Sequence, residues 1–288
     1  MKKILVLTDF SPNAMHAARY AHQLVRQLHT GILLYHAVQS IPIVPNYAGG
    51  GFVTETENLF AEESRENLTK LKDQLTAGRE DGPVIDIRNG EGDLGGKIQA
   101  LLRDEAIELI VMGAPEGSVV EHLLMGSETR AVIKASDRPV LVVPADAQVS
   151  SIQKLVLATD YRSEDFCALR YLSNWVANTG GKLDVVHIQT ASEEALLNAQ
   201  QKQVFELFLS SREQTNVHCH DLRGKAVQER LNRFCADKKT DVLVMINYHR
   251  DFFSRLFGSS KTFSALHHLQ LPILVIPASF SDETIGPM

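Results

Sequence analysis

Cysteine is scarce in this sequence: three residues in 288, Cys167, Cys219 and Cys235, all in the second half. With neither CxxC spacing nor an obvious pair, they give no sign of a disulfide framework and suit a reducing, cytoplasmic setting. Long apolar runs are missing too, and nothing approaches the ~20 residues of a membrane span. Met1-Lys2-Lys3 starts like a signal peptide, but the apolar run Ile4–Leu7 stops at Thr8-Asp9, too short for a hydrophobic segment. A membrane is therefore not an expected partner. Basic runs and stripes are absent and the net charge is −6, which argues against nucleic acid as well. The single tryptophan, Trp175, falls on the apolar stripe of a helix and reads as core.

What is present is ordinary globular composition, 44% hydrophobic and 22% charged, in a length suited to two domains. The informative feature is an internal repeat. Leu5-Val6-Leu7-Thr8-Asp9 recurs as Val156-Leu157-Ala158-Thr159-Asp160, Ala18-Arg19-Tyr20 as Leu169-Arg170-Tyr171, and His36 as His187, all at an offset of 151. Later the offset becomes 133, where Ile110-Val111-Met112 meets Leu243-Val244-Met245 and the stretch 139–144 meets 272–277. The 18 residues lost between the offsets lie after the second strand, where the first copy alone carries the Pro/Gly-rich stretch Ile41 to Phe52. That stretch reads either as a mobile surface loop or as a flap over a site. The repeat predicts two tandem domains, 1–146 and 152–280, with a short linker between them.

Each copy reads β-α-β-α-β-α-β-α-β. In the first, strands are expected at Lys3–Leu7, Gly31–Ala37, Val84–Arg88, Leu109–Met112 and Val140–Val143. Ser11-Pro12 supplies a cap and a first-turn proline for a helix, and further helices are expected near 55–77, 95–105 and 127–135. In the second copy Ser163 is the expected cap of the first helix and Gly180-Gly181 its end. Strands alternating with helices predict an α/β fold: two tandem, doubly wound domains, each a five-stranded parallel sheet of order 3-2-1-4-5 flanked by helices. The apolar last strands, within 139–144 and 272–277, would lie at sheet edges that need covering.

In such sheets ligands bind at the carboxyl ends of strands, where strand order reverses. Here that crevice would open between strands 1 and 4, bordered by Asp9 and Gly113. Glycines let a backbone approach a ligand closely, and the start of the helix at Gly126-Ser127-Glu128-Thr129 offers unpaired amides to an anion. Asp9 is placed to accept hydrogen bonds from a base or ribose. Against these stand plainer readings: Asp9 and Asp160 as helix-entry turn residues, and Gly126-Ser127 as a simple cap.

The combination T-D-F-S after the first strand, V-M-G followed by G-S, and a closing P-V-L-V-V-P resembles the universal stress protein family, over both halves of the chain. Members of the nucleotide-binding type carry G-x2-G-x9-G-S/T, which maps onto Gly113, Glu116 (with Gly117 one place late) and Gly126-Ser127. The resemblance implies a nucleotide site at Thr8, Asp9, Ala37, Met112, Gly113, Glu116, Gly117, Gly126, Ser127, Glu128 and Thr129. In it Asp9 would hold the nucleoside and the backbone near Ala37 would touch the base. The ligand implied is an adenine nucleotide, ATP, ADP or AMP, and the only metal expected is nucleotide-associated magnesium. It also implies that strands 139–144 and 272–277 pair within the chain. Association into a homodimer of whole chains is left open.

The second copy departs from the glycine pattern: Gly113, Gly117 and Gly126 become Ile246, Arg250 and Ser259, with Gly258 one place early and Tyr248 and Phe252-Phe253 crowding the loop. It therefore reads as a packing or regulatory copy. His218 and His220 share one strand face, but no ligand spacing supports a metal site with His249 or His267-His268. Three functions remain open: a stress-response regulatory protein that binds a nucleotide without turning it over, a nucleotide-free interaction scaffold, and a slow ATPase or an autokinase acting at Ser127. Glu116 could position a water, yet no strong base or nucleophile constellation and no Walker-type G-K-S/T is present. A receiver domain lacks its acidic pair and lysine, and a dinucleotide fold its G-x-G-x-x-G after strand 1.

Overall fold

The structure, a computed structural model, describes residues 1–38, 52–77, 82–115, 126–189, 195–210, 216–224, 227–248 and 271–281. The first half runs β1 (Lys3–Leu7), α1 (Pro12–Leu28), β2 (Gly31–Val38), α2 (Phe52–Thr76), β3 (Ile85–Glu91), α3 (Leu94–Asp104), β4 (Ile107–Gly113), α4 (Ser127–Ala135) and β5 (Val140–Val143). The second runs β6 (Lys154–Ala158), α5 (Asp165–Thr179), β7 (Lys182–Gln189), α6 (Ala195–Ser210), β8 (Val217–Arg223), α7 (Val227–Lys238), β9 (Val242–Asn247) and β10 (Ile273–Pro277).

Each half has the order 3-2-1-4-5, and the two halves join into one ten-stranded sheet, β3-β2-β1-β4-β5-β10-β9-β6-β7-β8. Within a half, neighbours are parallel. At the junction β5 and β10 are antiparallel, in the register Val142↔Ile273, Leu141↔Leu274 and Val140↔Val275. That pairing removes the two apolar edges and leaves β3 and β8, whose polar alternation suits an edge, at the ends. The central strands are buried on both faces, so β5 and β10 are apolar at nearly every position.

The helix α1 shows how local sequence sets this up. The Ser11 side chain accepts from the Ala14 amide, and Pro12 fits the first turn. Ala17, Ala18, Ala21, Leu24 and Val25 then form its buried stripe, Leu24 and Val25 each contributing about 1.5–3 kcal/mol. The helix ends at His29 in a left-handed conformation.

The junction is self-complementary in the manner of a two-fold interface. Asp241 lies beside Tyr20, and Glu108 lies beside Tyr171, each carboxylate adding to the burial that raises the phenol. Tyr20 and Tyr171 are equivalent at offset 151, Glu108 and Asp241 at 133. The segment between the halves is docked rather than loose. Ala147 and Ile152 are buried, His16 Nε2 meets the Ala147 carbonyl at 2.8 Å, and the Gln27 amide bonds Ile152 at both its carbonyl and its N–H.

One expectation fails at α5. Ser163 does not cap it; the Ser163 hydroxyl donates to Glu164, and the helix begins at Asp165 with no side-chain cap. The reason is the turn before it, where Asp165 itself draws the chain inward, as described below. Gly180 ends the helix in a left-handed conformation, as its lack of a Cβ allows, and Trp175 is buried on the core face.

Candidate functional site

The site grows out of the turn after β1. Phe10 has φ of 63°, a left-handed conformation that costs a residue with a Cβ about 1–2 kcal/mol. The turn holds it there: Thr8 Oγ1 accepts from the Phe10 amide at 3.0 Å, and Asp9 Oδ1 accepts from the Ser11 amide at 2.9 Å. The Phe10 ring packs on His36, centroids 4.6 Å apart, while His36 Nδ1 meets Ser64 Oγ at 2.8 Å. Burial keeps His36 below its usual pKa, against the pull of nearby Asp9, so it is neutral near pH 7.

The end of β4 closes the other wall. A Cβ at Gly113 would stand 2.7 Å from the Asn13 carbonyl carbon and 2.8 Å from its oxygen. Glycine is required there because the first turn of α1 presses on the strand end, a reason different from the ligand approach expected of it. Asn13 Nδ2 ties the two by donating to the Ala114 carbonyl at 2.9 Å. At Gly126, before α4, a Cβ would meet Pro115 Cγ at 2.8 Å. The Gly126 carbonyl accepts from Arg130, and the amides of Ser127, Glu128 and Thr129 come before the first such helical bond, without acceptors inside the helix.

Between these walls lies a cleft of about 920 Å³, at the carboxyl ends of β1 and β4. Thr8, Asp9, Ala37, Met112, Gly113, Gly126, Ser127, Glu128 and Thr129 line it. Glu116 and Gly117 lie outside the described residues, as does the stretch from Ile41 to Gly51. The lining also includes Asn13, His36 and Asp93, none of which the motif singled out. Asp93 caps α3, accepting from Gly96 at 2.8 Å, and the D-L-G-G run after β3 is the signal that could have found it. Asn13 had no sequence signal, because its role is a contact across 101 residues.

The second half repeats the turn and carries larger side chains beside it. Tyr161, equivalent to Phe10, has φ of 57°, and its amide donates to Thr159 Oγ1 at 2.8 Å. Its ring packs on His187, centroids 4.9 Å apart. At the position of Ala14, however, stands Asp165, fully buried. Its Oδ2 accepts from Thr159 Oγ1 at 2.5 Å and the Arg162 amide at 3.1 Å, and its Oδ1 from the Tyr248 hydroxyl. Tyr248 stands where the first half has Pro115, with the Arg162 guanidinium 4.4 Å from its ring centre. Ile246 replaces Gly113 and is buried. Burial pushes the Asp165 carboxyl up to about 7 even against the bonds it accepts from Thr159 and Arg162. Arg250, Phe252, Phe253, Gly258 and Ser259 lie outside the described residues.

His220 Nε2 is bound to Asp184 Oδ1 at 2.6 Å and its ring packs on Phe234. His218 is exposed on the same strand, and no group of three or more His, Cys, Asp or Glu suited to a metal occurs among the described residues. His249, His267 and His268 lie outside them. No helix among the described residues is long and apolar enough to cross a membrane.

With this geometry in hand, comparison with known proteins is decisive on family. The profile of the Universal stress protein family matches residues 1–144, half of the chain. The chain belongs to the universal stress protein family. Universal stress protein MJ0531 of Methanocaldococcus jannaschii is 32% identical over 142 residues, covering 49% of this chain and 81% of its own length. Universal stress protein MJ0577 of the same organism is 28% identical over 158 residues, 49% of this chain and 94% of its own. A universal stress protein from Archaeoglobus fulgidus aligns in structure over 96% of this chain and 98% of its own, with a TM-score of 0.71 at 18% identity, a likeness of fold across both halves.

Proposed function

We propose that residues 1–146 form a nucleotide-binding domain and residues 152–280 a second domain that packs against it. The protein then acts in the cytoplasm as a stress-response regulator through occupancy of the first domain rather than through turnover. The ligand is an adenine nucleotide, ATP, ADP or AMP, which brings any magnesium with it. Asp9 holds the ribose, the backbone near Ala37 meets the base, and the phosphate end lies toward Ser127 and Thr129.

The observation that carries this reading is the cleft at the strand-order reversal, into which Asp9 and the start of α4 both open. A binding role suits it better than an enzymatic one: among the described lining residues Asp93 is committed to capping α3, and His36 stands with its Nδ1 on Ser64 and its ring against Phe10, with no nucleophile hydrogen-bonded to it. Asp165, Ile246 and Tyr248, at the positions of Ala14, Gly113 and Pro115, favour a packing role for that half. Titration of the whole chain with a fluorescent ATP analogue tests the reading, with Asp9→Ala in parallel. Saturable binding in wild type that weakens at least tenfold in Asp9→Ala is expected. A wild-type chain with no saturable signal contradicts it.

A further inference from the structure

The charge of the cleft says more about the ligand than its shape does. Among the described residues that line it, three are carboxylates, Asp9, Asp93 and Glu128, and none is Lys or Arg. The one titratable base among these described residues, His36, is held below its usual pKa by burial and so is neutral near pH 7. Glu128 sits in the first turn of α4, where it already offsets the positive end of the helix. Arg130 does not restore the balance: two positions on, it points roughly 200° away around the helix, and it is exposed outside the lining. Lys97 rests near Gly92 at the α3 rim and is likewise outside it.

A site for free polyphosphate would pair it with several fixed cations. Here the donors among the described lining residues are the amides at the start of α4 and hydroxyls such as those of Ser127 and Thr129, with no fixed cation beside them. Each carboxylate held within several ångströms of a phosphate charge weakens binding about tenfold at the effective dielectric of a surface cleft.

We propose that the cleft selects its ligand for low anionic charge. A neutral nucleoside is preferred, a monophosphate follows, and a di- or triphosphate enters only as its divalent-metal chelate. This rests on the reading that the cleft binds an adenine nucleoside moiety at all.

Calorimetric titration of the whole chain with adenosine, AMP and ATP, each in EDTA and in excess magnesium, tests it. In EDTA, adenosine binds at least tenfold more tightly than ATP. Magnesium closes most of that gap, and the gap narrows at high salt, where the field of the carboxylates is screened. Glu128→Lys shifts the ATP-to-adenosine affinity ratio at least tenfold toward ATP. Metal-free ATP binding as tightly as adenosine would overturn the charge selection while leaving the nucleotide site intact. A ratio unmoved in Glu128→Lys would do the same. Failure of all three compounds to bind, with or without magnesium, would overturn both readings together.

Discussion

The two halves share a turn and differ in what stands behind it. Thr8-Asp9-Phe10 and Thr159-Asp160-Tyr161 adopt the same left-handed aromatic conformation, held by the same threonine hydroxyl and packed on equivalent histidines. Beside the first turn, Ala14 and Gly113 carry little or no side chain, α1 packs directly on the strand end, and both residues line a cleft. Behind the second, Asp165, Ile246 and Tyr248 put a carboxyl, an aliphatic side chain and a phenol into equivalent positions. A duplicated scaffold thus keeps the strained turn in both halves and varies the side chains beside it.

The largest effect should come from removing the buried carboxyl of the second half. Asp165→Ala leaves the Thr159 hydroxyl, the Arg162 amide and the Tyr248 hydroxyl without their shared acceptor. At roughly 1 kcal/mol or more per buried group, the chain should lose about 4 kcal/mol at pH 5, seen as a lower urea midpoint. Binding in the first half should survive. An unchanged midpoint would break the contrast.

Next is a pH dependence that arises from burial. Glu108, buried beside Tyr171 at the junction, has its carboxyl pushed up to about 7, above the 4.5 of an exposed glutamate. The folded state therefore holds a proton that the unfolded chain gives up between those values. Its contribution is full below about 4.5 and is lost as pH rises through about 7, a fall of roughly 3 kcal/mol. Asp165 acts in the same direction. Urea unfolding from pH 4.5 to 8 should show Glu108→Gln with a flatter decline than wild type. A parallel decline would place the pH sensitivity elsewhere.

Smaller again is Gly113→Ala, which brings a Cβ to 2.7 Å from the Asn13 backbone. Overpacking there should cost about 2 kcal/mol and, by pushing α1 away from β4, weaken nucleotide binding at least tenfold. The change Ile246→Val in the second half should cost only about 1 kcal/mol and leave binding alone. Equal effects of the two on affinity would dissolve the asymmetry between the halves. Smallest is Ser11→Ala, removing the α1 cap, at about 1 kcal/mol by thermal unfolding.

Where sequence punctuation was strong, the fold was legible. β1, α4 and β5 begin and end where the apolar runs meet Thr-Asp, Gly-Ser and Pro. β3 was harder: expected to stop at Arg88, it continues through Asn89, Gly90 and Glu91, because the backbone pairs with His36, Ala37 and Val38 whatever the side chains there. The order of strands and the antiparallel junction agree with the doubled pattern and the apolar last strands. At the candidate site, Asp9 and the glycines announced themselves. Asn13 and Asp165 did not, since each owes its role to a partner 101 or 83 residues away. Gly113 has a reason that sequence does not announce: its missing side chain makes room for the first turn of α1.

Binding stoichiometry per chain, measured by native mass spectrometry with an adenine nucleotide and magnesium, tests the account most directly. One nucleotide per chain is predicted, lost in Asp9→Ala and retained in Asp160→Ala. Two nucleotides per chain, or one that survives Asp9→Ala and departs with Asp160→Ala, would contradict it.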